Sequence, residues 1–129
     1  MAHPNEDLVR RGYVAFGTGD FATLRELFAD DVVWHVGGRS AITGDYKGKN
    51  EVLGFFAQLA ERAGGTFRVD VHDVLANDVH VVALVTLTAE RAGKTLNDEG
   101  TQVYQVQGGK VTESWFHPSD QYASDEFWS

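Results

Sequence analysis

The chain has 129 residues, 43% hydrophobic and 23% charged, with a formal net charge of −8 and no cysteine. That length predicts one core and a single domain over 1–129. The acidic balance argues against nucleic acid and anionic membranes as partners, since both demand basic surfaces. Disulfides, thiolate metal sites and cysteine nucleophiles are excluded outright. No apolar run nears the ~20 residues of a bilayer span. Met1-Ala2-His3-Pro4-Asn5-Glu6 has neither a basic n-region nor an apolar h-region, so no secretory leader and a cytoplasmic location are expected.

Asn5 reads as an N-cap, with Glu6 and Asp7 in the first turn, where the helix dipole favours anions. Leu8, Gly12 and Phe16 follow at i, i+4 and i+8 beside Val9 and Tyr13, an amphipathic helix that Gly17 and Gly19 end. Asp20 caps a shorter helix with the stripe Phe21, Leu24, Leu27 and Phe28. Asp30-Asp31 stops it, and a strand is predicted over 32–36. The stretch 37–48 holds four glycines and reads as a loop long enough to be functional.

A third helix is predicted from about 50 to 63, with Asn50 near its cap and a wide face of Val52, Phe55, Phe56, Leu59 and Ala63. The period then drops to 2. Phe67, Val69 and Val71 alternate with Arg68, Asp70 and His72, a strand with one wet face. Ala76-Asn77-Asp78 turns the chain into 79–89, which is apolar on both faces and so central. Strands at 95–107 and 110–117 flank Gly108-Gly109, a two-residue hairpin signal. The tail carries Pro118, Asp120, Tyr122, Phe127 and Trp128, and its aromatics predict docking on the body or on a partner. Together these elements predict an α+β fold: a conical, barrel-like curved antiparallel sheet packed on three N-terminal helices, with a hollow at its open end.

The order and spacing of several segments carry a resemblance. They are Gly19-Asp20-Phe21, Phe28-Ala29-Asp30-Asp31-Val32-Val33-Trp34, Gly44-Asp45-Tyr46-Lys47-Gly48 before Phe55-Phe56, and Gly109-Lys110-Val111-Thr112-Glu113. In these the chain resembles the nuclear transport factor 2-like superfamily, and within it the SnoaL-like, ketosteroid-isomerase-related proteins. The resemblance implies a cone with a pocket between sheet and helices, and a homodimer through the outer sheet face. It also implies cofactor-free acid–base chemistry where a member is an enzyme, so no cofactor is expected.

Ketosteroid isomerases use a carboxylate base with a tyrosine and a protonated acid as oxyanion hole. The matching positions here fall on Val36, on Gly12 (with Tyr13 beside it) and near Gln102, so that catalytic set is not present. SnoaL-type cyclases carry an acid near the end of the last strand, and Asp120 is the matching carboxylate; its structural alternative is a cap on the tail. His35 faces the hollow or the outer sheet surface according to register, and His117 is equally open. A His35–Asp120 or His117–Asp120 pair would make an acid–base unit. Tyr13, Trp34, Tyr46, Phe56 and Gln102 are the candidate ligand-binding residues, for a small and largely apolar molecule. His72 and His80, with Asp70, Asp73 and Asp78, lack a close ligand spacing and read as a solvated hairpin rather than a metal site. Arg39, Arg68 and Arg91 have no carboxylate at the spacing epoxide hydrolysis needs. Two readings stand: a cofactor-independent isomerase or cyclase, and a non-catalytic ligand-binding or scaffold module.

Overall fold

Pro4 opens the first helix because its fixed φ suits the first helical position, where its missing N–H costs nothing. The structure is a computed structural model describing residues 3–129; Met1 and Ala2, the start of the stretch read for a leader, lie outside the described residues. Helix α1 (Pro4–Thr18) is capped by His3, whose Nδ1 accepts the Asn5 backbone N–H at 3.0 Å. Asn5, the cap expected from sequence, instead donates its side-chain amide to the Asn77 carbonyl at 3.0 Å. Gly17 stays helical, and Gly19 ends the helix in the left-handed region (φ 71°). Asp20 caps α2 (Phe21–Leu27) by accepting the Thr23 N–H at 3.1 Å.

Strand β1 (Phe28–Val36) begins earlier than sequence periodicity indicates, and Asp30 and Asp31 lie within it. Phe28 fits a helical stripe locally, but tertiary packing decides: its ring meets Trp34 and Phe56, and its backbone pairs with Val111. The predicted loop at 37–48 contains a short strand, β2 (Gly44–Lys47), antiparallel to β1. Four residues with one large side chain carry no legible alternation. Helix α3 (Lys49–Arg62) follows Gly48; Asn50 does not cap it but accepts from Arg25 at 3.0 Å.

Strands β3 (Arg68–Ala76), β4 (His80–Arg91), β5 (Lys94–Gln107) and β6 (Lys110–Pro118) form an antiparallel meander. Gly108 and Gly109 (φ 58° and 74°) make the hairpin turn that two consecutive positive φ values allow. The spatial order is β2-β1-β6-β5-β4-β3 in one curved, unclosed sheet. Its β1–β6 pair is parallel, so the sheet is not wholly antiparallel as expected. The chain leaves β1 through β2 and α3 and returns to its side only after the meander.

The expected three helices become four, because the tail folds as α4 (Gln121–Trp128). Phe127 and Trp128 are buried against the body. Arg91 donates to the carbonyls of Phe127 (3.2 Å) and Ser129 (2.7 Å), and Lys94 to that of Glu126 (2.8 Å). Cations at a helix C-terminus satisfy its free carbonyls and oppose its dipole. Helices cover the inner sheet face; Val82 and Leu84 look out from the other, with Leu84 39% exposed.

Candidate functional site

Strand alternation builds the site. On β1, Trp34 and Val36 point inward; on β5, Gln102 and Tyr104 do, and on β6 Ser114 and Phe116. With Tyr13 of α1 and Phe56 of α3, all of these but the fully buried Ser114 enclose a cavity of about 120 Å³, close to the ~150 Å³ that holds a benzene ring in an engineered apolar cavity. Phe116 closes one side by lying over Gly100, where a Cβ would come within 2.4 Å of its ring. Trp34 is the central wall, with edge contacts to Phe56 (centroids 5.0 Å) and Tyr104 (5.8 Å). Ser40, Gln121 and Ser124 stand at the end that α4 covers.

Among the described residues no aspartate, glutamate, histidine, lysine or arginine lines this cavity. The polar side chains at its centre are neutral, and each makes one hydrogen bond to a neutral neighbour. Tyr104 donates to the Tyr13 hydroxyl at 2.7 Å. Gln102 donates through Nε2 to Ser114 Oγ at 2.6 Å, and Ser114 donates to the Val103 carbonyl at 3.0 Å. Burial pushes both phenols well above the ordinary tyrosine range; for Tyr13 the hydrogen bond from Tyr104 pulls back part of the rise.

The candidate residues divide cleanly. Tyr13, Trp34, Phe56 and Gln102 line the cavity. Tyr46 does not: its ring stacks on Phe55 at 4.5 Å and its hydroxyl donates to the Ile42 carbonyl at 2.6 Å, so it supports the wall from behind. His35 faces outward. Its Nδ1 meets Asp45 Oδ1 at 2.7 Å across β2, its Nε2 meets Glu113 Oε2 at 2.6 Å across β6, and its ring stacks on Trp115. Burial works against the charged ring, but the hydrogen bonds to Glu113 and Asp45 and their charges outweigh it, and the His35 pKa is raised. His117 is exposed on β6 opposite Thr101.

Asp120 is exposed and caps α4, its Oδ1 accepting the Ala123 N–H at 3.1 Å. Neither the His35–Asp120 nor the His117–Asp120 pair forms a hydrogen bond: β1 alternation sends one ring outward, β6 alternation does the same to the other, and the cap holds the carboxylate at the helix start. Among the described residues no group of three or more histidines and carboxylates is placed to hold a metal ion.

Sequence reasoning missed three groups. Tyr104 and Ser114 could have been found by extending the inward row from Gln102 along β5 and across to β6. Asp98 had no signal of its own. It is a buried carboxylate on the same β5 row, accepting from the Ser119 N–H (3.2 Å) and hydroxyl (2.6 Å) and so fixing the chain just before α4.

The SnoaL-like domain family matches residues 9–114, and this chain belongs to that family. The uncharacterized protein Rv0034 of Mycobacterium tuberculosis is 39% identical over 124 residues, 95% of each chain. Bal32a, from a soil-derived mobile gene cassette, is 41% identical and superposes with a TM-score of 0.95 over 98% of this chain and 97% of its own. A nuclear transport factor 2-like protein of unknown function from Burkholderia pseudomallei shares the fold at 20% identity, with a TM-score of 0.87 over 99% of both chains.

Proposed function

We propose that the protein binds a small, largely apolar, ring-containing molecule in the hollow and performs no carboxylate- or histidine-based proton transfer on it. One observation carries this reading: the wall is aromatic and aliphatic, and its polar side chains are uncharged. A general base must reach the proton it removes and hold a pKa near the working pH. Tyr13 and Tyr104 are pushed away from that range, so they serve as neutral hydrogen-bonding groups. The isomerase- or cyclase-type alternative, with Asp120 and His35 or His117 as its acid–base groups, draws no support from their positions outside the wall. A second copy of the chain is proposed to cover the outer sheet face, where Leu84 is exposed and Val82 and Trp115 are half-buried.

Titration of the protein with ethylbenzene, followed by NMR of the Trp34 and Phe56 signals and by the thermal midpoint, tests the pocket. Saturable shifts and a raised midpoint are expected, and Val36→Trp, which adds bulk to the wall, removes both. The absence of saturable binding, or binding indifferent to Val36→Trp, would sink the reading.

A further inference from the structure

We infer that the ligand of this cavity is neutral and carries a hydrogen-bond acceptor and a hydrogen-bond donor on its ring frame: a carbonyl that meets Tyr13 and a hydroxyl or ring N–H that meets Gln102. The inference rests on the binding reading above and adds the polar pattern to it.

The direction of two hydrogen bonds sets that pattern. Tyr104 is 6% exposed, and its hydroxyl has one partner, Tyr13 Oη at 2.7 Å. Both phenols line the cavity, but Tyr104 is the more buried; were Tyr13 the donor, the more deeply buried proton would be the one without an acceptor, the costlier arrangement. Tyr104 therefore donates. The Tyr13 proton is left over, on a side chain at the cavity wall for which no acceptor exists among the described residues.

The second direction follows from Ser114, which is fully buried. A backbone carbonyl can only accept, so the single serine proton goes to Val103 at 3.0 Å. Ser114 must then accept from Gln102, which points the amide nitrogen toward β6 and the amide oxygen away from it. That oxygen has no donor among the described residues. Nor is it sealed in protein, for among the described residues the buried side-chain polar atom without a partner is Asp98 Oδ2. Gln102 lines the cavity, and its oxygen is the acceptor the cavity offers.

Gln102 and Tyr104 stand two residues apart on β5, so they project from one face with origins about 7 Å apart. Tyr13 is reached from Tyr104 across the 2.7 Å hydrogen bond, so its donor and the Gln102 acceptor are separate points on the wall and suit polar groups at different positions of one ring. Charge is excluded by the wall itself: a carboxylate or ammonium would lose its water there and find no opposite charge.

Four probes of one frame separate the terms: ethylbenzene, acetophenone, 4-ethylphenol and 4-hydroxyacetophenone, titrated calorimetrically. Each polar group is expected to tighten binding about fivefold over ethylbenzene, the scale of one net hydrogen bond, with 4-hydroxyacetophenone tightest. Tyr13→Phe should erase the advantage of acetophenone and leave that of 4-ethylphenol; Gln102→Leu should do the reverse. Because Tyr13→Phe strands the Tyr104 proton, the double variant Tyr13→Phe/Tyr104→Phe provides a second form in which nothing is stranded. Equal binding of all four probes, or equal response of both polar probes to either variant, overturns the polar pattern and leaves the apolar pocket standing. Failure of ethylbenzene itself to bind overturns the pocket reading and this inference with it.

Discussion

Trp34 and His35 are consecutive on β1, yet they belong to different environments. Trp34 is 7% exposed and surrounded by rings that close a cavity in which none of the described wall residues is charged. His35 is bridged on the outer face by two carboxylates, each on a different neighbouring strand. The strand period of 2 separates them completely. Around the cavity the inner face carries shape and directed neutral hydrogen bonds, with the buried Asp98 lying outside the lining, and the outer face carries titratable charge at His35, Asp45 and Glu113. A histidine in a promising strand is therefore no guide to a site until its face is known. The two faces should also respond to different insults.

The largest effect is expected from cutting the inner side. Trp34→Ala removes the wall shared by Phe28, Phe56 and Tyr104 and should cost about 3–5 kcal/mol in chemical denaturation, with loss of probe binding. His35→Gln, one residue on, should cost about 0–1 kcal/mol, because partly exposed ion pairs contribute little, and should leave binding intact. Comparable losses at both positions would mean that the faces are not separate.

A subtler test lies within the inner face. Tyr104 is the more buried tyrosine, so burial alone would make its truncation the costlier one. The donor order predicts the opposite. Tyr104→Phe deletes one hydrogen bond, about 0.5–1.5 kcal/mol, whereas Tyr13→Phe leaves the Tyr104 hydroxyl buried and unpaired, about 1–3 kcal/mol. The double variant should cost less than the sum, since the second change removes the stranded group. Equal single costs and strict additivity would show that the two hydroxyls are not coupled.

How much of this was legible beforehand follows the range of the interactions. Asp20, Gly19 and Gly108-Gly109 act within a few residues, and their roles could be read directly. The aromatic wall of Tyr13, Trp34 and Phe56 was legible through the family resemblance, which implies where such pockets take their walls, whereas Tyr46, picked on the same ground, lies outside the lining. The start of β1 at Phe28 was hidden because its partner, Val111, lies far along the chain. The His35 cluster was hidden for the same reason: Asp45 sits in a strand too short to show a period, and Glu113 arrives from β6. Asp98, buried by the return of Ser119, had no local signal at all.

Asp120 sharpens the boundary between the faces and the ends. As an N-cap it should tolerate asparagine and resist alanine, with Asp120→Ala costing about 1 kcal/mol and Asp120→Asn almost nothing. Probe binding should be unchanged in Asp120→Asn. A loss of binding or turnover in that variant, with unaltered stability, would return the carboxylate to the working site.

The smallest effect is expected to be the most diagnostic, because it separates the faces by pH. The groups facing His35 are Asp45 from β2, Glu113 and Trp115 from β6. Its pKa is raised in the folded protein, so the native state holds the proton at pH values where the unfolded chain, with an ordinary histidine near 6.5, releases it. The contribution is therefore full below about pH 6.5 and is lost as pH rises through the folded value. Stability curves of the native sequence and His35→Gln should converge on the alkaline side and separate, by a few tenths of a kcal/mol on the scale of exposed pairs, on the neutral to mildly acidic side. Across the same range the affinity for ethylbenzene should stay flat, since among the described residues no charged side chain lines the cavity and its phenols are pushed upward. Affinity that tracks the His35 titration would couple the two faces through β1, and the outer cluster would then be part of the binding site rather than a clasp behind it.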